Sequence, residues 1–262
     1  MKQTNIMEKR GQATVFVAVG IVIVVVVALI LYGRQTIFLP GTPDSLSKVL
    51  DDVNEHIVDC IGEVSEKPII QIGLQGGYLN PGVDTFRLHN DTRISYLCYN
   101  MENSESCRNR LLLVQSMEEE LNAALQPQII SCVGNIKDFG KLRPITIEVP
   151  EQFKVATNIL QDNVVVAVEY PVIIKSDKTT NQVQRKTFEK IFEIPLGDLY
   201  LVVQDVLEQE ITFGDFDPLL YMLSKKGEYT IIKTRPYPDK LYAISRNDND
   251  YQLQFFIQGQ PG

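Results

Sequence analysis

Four cysteines, two histidines and a few clustered carboxylates are the side chains of this 262-residue chain whose types and spacing admit chemistry. Cys60, Cys98, Cys107 and Cys132 are even in number, and no two form the CxxC pair of a structural zinc site or a thioredoxin-type redox centre. In an oxidising compartment such a set forms two disulfides. Three pairings are open. The favoured one closes the short polar loop between Cys98 and Cys107 and joins Cys60 to Cys132, tying two helices. His56 lies beside an apolar helical stripe next to Glu55, and His89 precedes a polar turn. Each reads as an ordinary surface residue rather than a general base. Gly73-Leu74-Gln75-Gly76-Gly77-Tyr78 lacks both the GxGxxG order and the Gly-Lys-Ser/Thr ending that cradle phosphate. It predicts a tight turn where the chain leaves a helix, with Gln75 and Tyr78 as the alternative binding face. Asn247-Asp248-Asn249-Asp250 is rich in oxygen, but the calcium pattern wants Gly at its sixth position and Glu at its twelfth. A polar turn between strands is expected there. Asp215 and Asp217 are expected to start a helix rather than to hold a metal. No cofactor site, metal site or catalytic constellation emerges, no GxSxG stretch marks a nucleophilic serine, and an enzyme is not expected. Asn90-Asp91-Thr92 is a glycosylation sequon, which makes Asn90 a candidate attachment site.

The elements that position these residues begin with a membrane segment. Gly11 to Gly33 holds no charged side chain, and Ala13 to Tyr32 is almost unbroken apolar sequence. At about 1.5 Å per residue such a helix spans roughly 30 Å, the hydrocarbon thickness of a bilayer. Residues 12–33 are therefore expected to form a transmembrane helix, with 1–11 a basic leader and 34–44 a linker broken by Pro40, Gly41 and Pro43. Lys2, Lys9 and Arg10 precede the apolar run and only Arg34 follows it closely, so the N-terminus is expected in the cytoplasm and the C-terminal domain outside. A cleaved secretory signal fits less well, because its apolar run is ~7–15 residues. The net charge of −8 understates the exported part: residues 1–34 carry four bases against one acid. The acidic remainder excludes nucleic acid as a partner, since phosphate binding needs a basic footprint.

Leu46, Val49, Leu50, Val53, Ile57, Cys60, Ile61 and Val64 repeat at helical spacing, predicting a helix that ends near Val64, with a change at Pro68. A second helix is expected over about 110–130, with Leu113, Met117, Leu121, Ala124 and Leu125 inward and Cys132 just beyond. From residue 144 the texture turns to short β-branched runs. Helices follow over 196–211 and 218–224, and strands over 229–234, 241–245 and 252–257. The fold class is α+β, with two or more amphipathic helices and an antiparallel sheet of about six to eight strands. Residues 45–140 read as a helical, disulfide-containing subdomain and 141–262 as a β-rich one, with a shared core as the alternative.

Lys9-Arg10-Gly11-Gln12-Ala13-Thr14-Val15-Phe16, running into the apolar helix, resembles the class III signal of archaeal pilins and archaellins. The resemblance implies cleavage by a prepilin peptidase between Gly11 and Gln12, and a mature helix that packs with its copies in a filament core. Cys60-Ile61 and Ile72-Gly73-Leu74-Gln75-Gly76-Gly77-Tyr78 resemble stretches of single-pass membrane proteins of archaea. The exported part is larger and more mixed than the compact β heads of archaeal pilins, which suits a minor or tip component. The expectation is a structural or adhesive protein of the cell surface, held by membrane lipid, by copies of itself or by other surface subunits. The alternative is a single-pass ectodomain that binds a ligand or partner subunit in a membrane complex. A membrane-tethered hydrolase is the third reading.

Overall fold

The computed structural model describes residues 43–99 and 107–259. The expected leader, membrane helix and most of the linker, with the Gly11–Gln12 junction, lie outside the described residues.

Helix α1 (Pro43–Leu74) opens the described chain and runs 32 residues, straight past the expected end near Val64 and through Pro68. Proline inside a helix removes one hydrogen bond and costs about 3 kcal/mol. The stripe of Leu46, Val53, Ile57 and Ile61 continues beyond it as Ile69 and Ile72, both fully buried. Each such burial contributes ~1.5–3 kcal/mol, so the two together match or outweigh the proline. Helix α2 (Val114–Val133) passes through Pro127 in the same way and buries Met117, Leu121, Leu125, Ile129 and Val133. Cys132 therefore falls inside this helix rather than beyond it. Leu113, expected on the inner face, is the N-cap and is 69% exposed.

Ten strands follow, and they form two sheets instead of one antiparallel sheet of six to eight. The first runs β1 (Phe86–His89), β2 (Thr92–Tyr99), β10 (Gln252–Ile257), β9 (Lys240–Arg246), β8 (Tyr229–Thr234), with β3 (Arg108–Asn109) on β2. Its β2–β10 pair is parallel, Phe256 opposite Tyr96. The second sheet is built on β6 (Val164–Ser176), with β4 (Ile145–Glu148) and β5 (Lys154–Ile159) on one path and β7 (Gln182–Phe192) pairing β6 as well. The runs on either side of Pro171 are one strand. Its pairing with β7 shifts register between Glu169 and Val172, and a proline that needs no donor is tolerated at such an irregularity. Glu118 and Asn122 of α2 accept hydrogen bonds from the backbone N–H of Ile159 and Thr157, covering backbone donors of β5.

Helices α3 (Leu196–Phe213) and α4 (Pro218–Ser224) stand where periodicity places them. One apolar cluster draws on α1, α2, α3 and both sheets, with residues from either side of Gly140. A smaller cluster of Ile94, Leu241 and Phe256 is separate from it. The alternation of β10 puts Phe255 and Phe256 on opposite faces of the first sheet.

Candidate binding groove

The outer side of α1 changes character along its length. In its first half Asp51 and Asp52 are met by Arg185 and Arg143. Further along, Ile70 is 40% exposed while Ile69 and Ile72 beside it are buried. A cavity of about 510 Å³ opens here, lined by Glu63, Glu66, Lys67, Ile70 and Leu74 of α1 and by Asp91 of the β1–β2 turn. A second cavity of about 410 Å³ shares Ile70 and Leu74 and extends to Ile194 and Asp250. The two form a groove with an aliphatic floor and a predominantly acidic rim, on which Lys67 is the one cation among the lining residues. Among the described residues, Glu63, Glu66, Asp91 and Asp250 take part in no ion pair. Such a surface desolvates an apolar side chain on its floor and attracts cations to its rim.

The end of α1 fixes the groove's base. Gly76 and Gly77 adopt left-handed φ of +74° and +90°, and the N–H of Gly77 donates to the Ile72 carbonyl at 2.7 Å. The glycine-rich stretch is thus the tight turn expected of it. A Cβ at Gly76 would lie 3.1 Å from the Gln254 carbonyl oxygen, so the close approach of β10 adds to the demand for glycine. Gln75 lines the first cavity, but its amide is engaged within the fold. It is 7% exposed, and its Nε2 donates to the carbonyls of Tyr78 and Leu79 at 3.0 and 2.8 Å.

Carboxylates buried elsewhere are engaged within the fold. Glu210, at the end of α3, accepts from the Tyr242 hydroxyl and from Lys240 Nζ at 2.6 Å. Burial and that carboxylate push the Tyr242 hydroxyl well above its ordinary pKa. Asp198 at the other end of α3 accepts from Tyr229 at 2.9 and 3.0 Å. Asp239 accepts from Arg87 at 2.6 Å, Tyr96 at 2.7 Å and the Gly259 N–H at 3.0 Å. These three sites lock α3 and the loop before β9 onto the first sheet. Sequence reading passed over all of them, although Glu210 follows Val203, Val206 and Leu207 on the buried face of α3. An acid on an apolar stripe is the signal that marks such a residue.

The favoured cysteine pairing is the one the structure adopts. Cys60 and Cys132 lie at disulfide distance, Cα to Cα 5.7 Å, and join α1 to α2. Cys98 and Cys107 lie 5.2 Å apart in the same measure. Asn90 and Asp91 take φ of +47° and +61° at the tip of the β1–β2 hairpin, a turn that favours Asn and Asp on backbone grounds alone. Asn90 is exposed there. His56 donates to the Val133 carbonyl at 3.1 Å and packs on Phe139, while His89 sits edge-on to Phe256.

Asn247–Asp250 is the polar turn between β9 and β10, with Asn247 bonded to Gly227 and Thr230, Asp248 to Arg246, and Asn249 to Glu193. Asp217 caps α4 through the N–H groups of Leu219 and Leu220. Asp215 binds Lys233, Lys240 and Arg235. Among the described residues no cluster of His, Cys, Asp and Glu has the geometry to hold a metal, and no helix is long and apolar enough to cross a membrane. No family model, characterised protein or solved structure matches the chain.

Proposed function

We propose that the chain is a structural or adhesive protein of the cell surface, held at the membrane through residues 12–33 and presenting the acidic groove of α1 outside the cell. The observation that carries this reading is the groove itself, an aliphatic floor rimmed by four carboxylates that take part in no ion pair among the described residues, against the single cation Lys67. The burial of Glu210, Asp198 and Asp239 behind tyrosine, lysine and arginine partners supports a binding role over catalysis, because those groups serve the fold. Two cysteine pairs at disulfide distance suit an oxidising exterior.

Mass spectrometry of the chain from its native membrane tests the anchor. A mature N-terminus at Gln12, with the domain open to protease on intact cells, is the expected result. A mature N-terminus at Met1 or Lys2 removes the pilin-like version, and recovery of the chain in the soluble cell extract removes the membrane reading altogether. The groove also fits the second reading, an ectodomain docked to another subunit of a membrane complex. A stable foreign partner co-purifying in fixed proportion would favour that alternative.

A further inference from the structure

We propose that the groove of α1 receives helix α4 of a second copy of this chain. Helix α4 buries none of its seven residues. Leu219, Leu220 and Leu223 are 62%, 66% and 66% exposed, and their three- and four-residue spacing puts them on one face. Tyr221 and Met222 point back into the molecule: the Tyr221 hydroxyl donates to Asp205 at 2.7 Å, and the Met222 sulfur accepts from the Ile231 N–H. Lys225 and Lys226 follow at once, and neither takes part in an ion pair among the described residues. The donor surface is therefore three leucines followed by two cations outside any ion pair among the described residues, Lys225 lying over the Tyr221 ring at 5.3 Å. Its complement is the groove, whose Ile70, Leu74 and Ile194 lie among Glu63, Glu66, Asp91 and Asp250, four carboxylates against the single cation Lys67.

The occupant comes from another copy for two reasons. A molecule's own α4 is pinned to α3 by Asp205 and to β8 by Ile231. Its own tether falls short: Ile70 lies about 40 Å along α1 from Pro43, whereas residues 34–42 fully extended reach about 30 Å. Ion pairs on an exposed rim contribute little by themselves, so the leucines dominate the contact. The inference rests on the membrane-held reading above, because copies confined to one membrane meet at a raised effective concentration that strengthens a small contact. Donor and acceptor are different surfaces. A copy that has given its α4 still has its groove, and the contact either repeats along a row or is returned within a pair.

The test uses the full-length chain in lipid vesicles, as a mixture of unlabelled and heavy-isotope-labelled copies. Zero-length carbodiimide coupling of carboxylate to lysine is followed by mass spectrometry. Mixed-isotope peptides joining Lys225 or Lys226 to Glu63, Glu66, Asp91 or Asp250 are expected. Lys225→Glu with Lys226→Glu abolishes them, and mixing that variant with Glu63→Lys, Glu66→Lys copies restores coupling with the polarity reversed. Leu220→Ser with Leu223→Ser lowers the yield to background while both charges remain. Absence of mixed-isotope links in a chain that is still membrane-held overturns the inference and leaves the proposed function standing. Links from the groove to a foreign protein, or association unchanged in all three variants, overturn it equally.

Discussion

Asp215 sits where Lys233, Lys240 and Arg235 converge, at 2.5, 2.9 and 3.3 Å. Desolvation opposes its ionisation, but hydrogen bonds from Lys233 and Lys240 outweigh it and hold the carboxyl down to about 2. An unfolded aspartate titrates near 3.9. The stabilisation is therefore fully present above about pH 4 and is lost as pH falls through the folded value near 2. Asp215→Asn should lower the melting temperature at neutral pH and leave it unchanged near pH 2, read by thermal melts across that window. Equal loss at both ends would show that the three cations contribute through packing alone. Half-exposed, the cluster should also weaken with added salt. Of Asp215 and Glu210, only Glu210 was legible in type, as an acid on an apolar stripe; Asp215 was expected to start a helix, which Asp217 alone does. Their partners were not legible, because Lys240 stands 30 residues beyond Glu210 and reaches it through the pairing of β8 with β9.

Helices and turns were the readable elements. Helices α3 and α4, strands β8 and β10 and the glycine turn all lie where spacing and backbone chemistry put them. Pro68 predicts a change that does not occur, because buried isoleucines beyond it carry α1 onward. Pro127 lies within α2 as the expected span has it, and Pro171 falls inside β6 beside a register shift. Cys60–Cys132 also belongs to this scale, because it staples one helix to another across a separation of 72 residues, against nine for Cys98–Cys107. In the chain-entropy view the longer closure stabilises by about 4 kcal/mol and the shorter by about 2.5. Cys60→Ser should therefore lower the melting temperature more than Cys98→Ser, and reductant should abolish the difference between the parent and the doubly substituted chain. Melting indifferent to reductant would count against both bonds.

The α+β class was evident from the order of textures along the chain, but its division into two sheets was not. Alternation says which side of a strand is buried and nothing about its neighbour. The decisive pairing joins β2 to β10 in parallel, Tyr96 to Phe256, and puts the last described strand inside the first sheet, between β2 and β9. A chain cut after Tyr251 should accordingly lose cooperative unfolding by circular dichroism, since β9 and β2 would each lack a partner. A cut chain that melts like the parent would mean that the sheet closes without β10. The staple between α1 and α2 has a mechanical meaning for a protein held by its N-terminal side and loaded through its far end. Tension entering at Pro43 can unwind α1 only as far as Cys60. With that bond closed, the pull crosses directly to Cys132, and the stretch between them, ~240 Å of extended chain, is withheld from elongation. The α1 wall of the groove, Glu63–Leu74, and Asp91 lie within the protected stretch, while Ile194 and Asp250 lie beyond Cys132 on the loaded path, so on the proposed membrane-held reading the first turns of the helix give way before the α1 wall does.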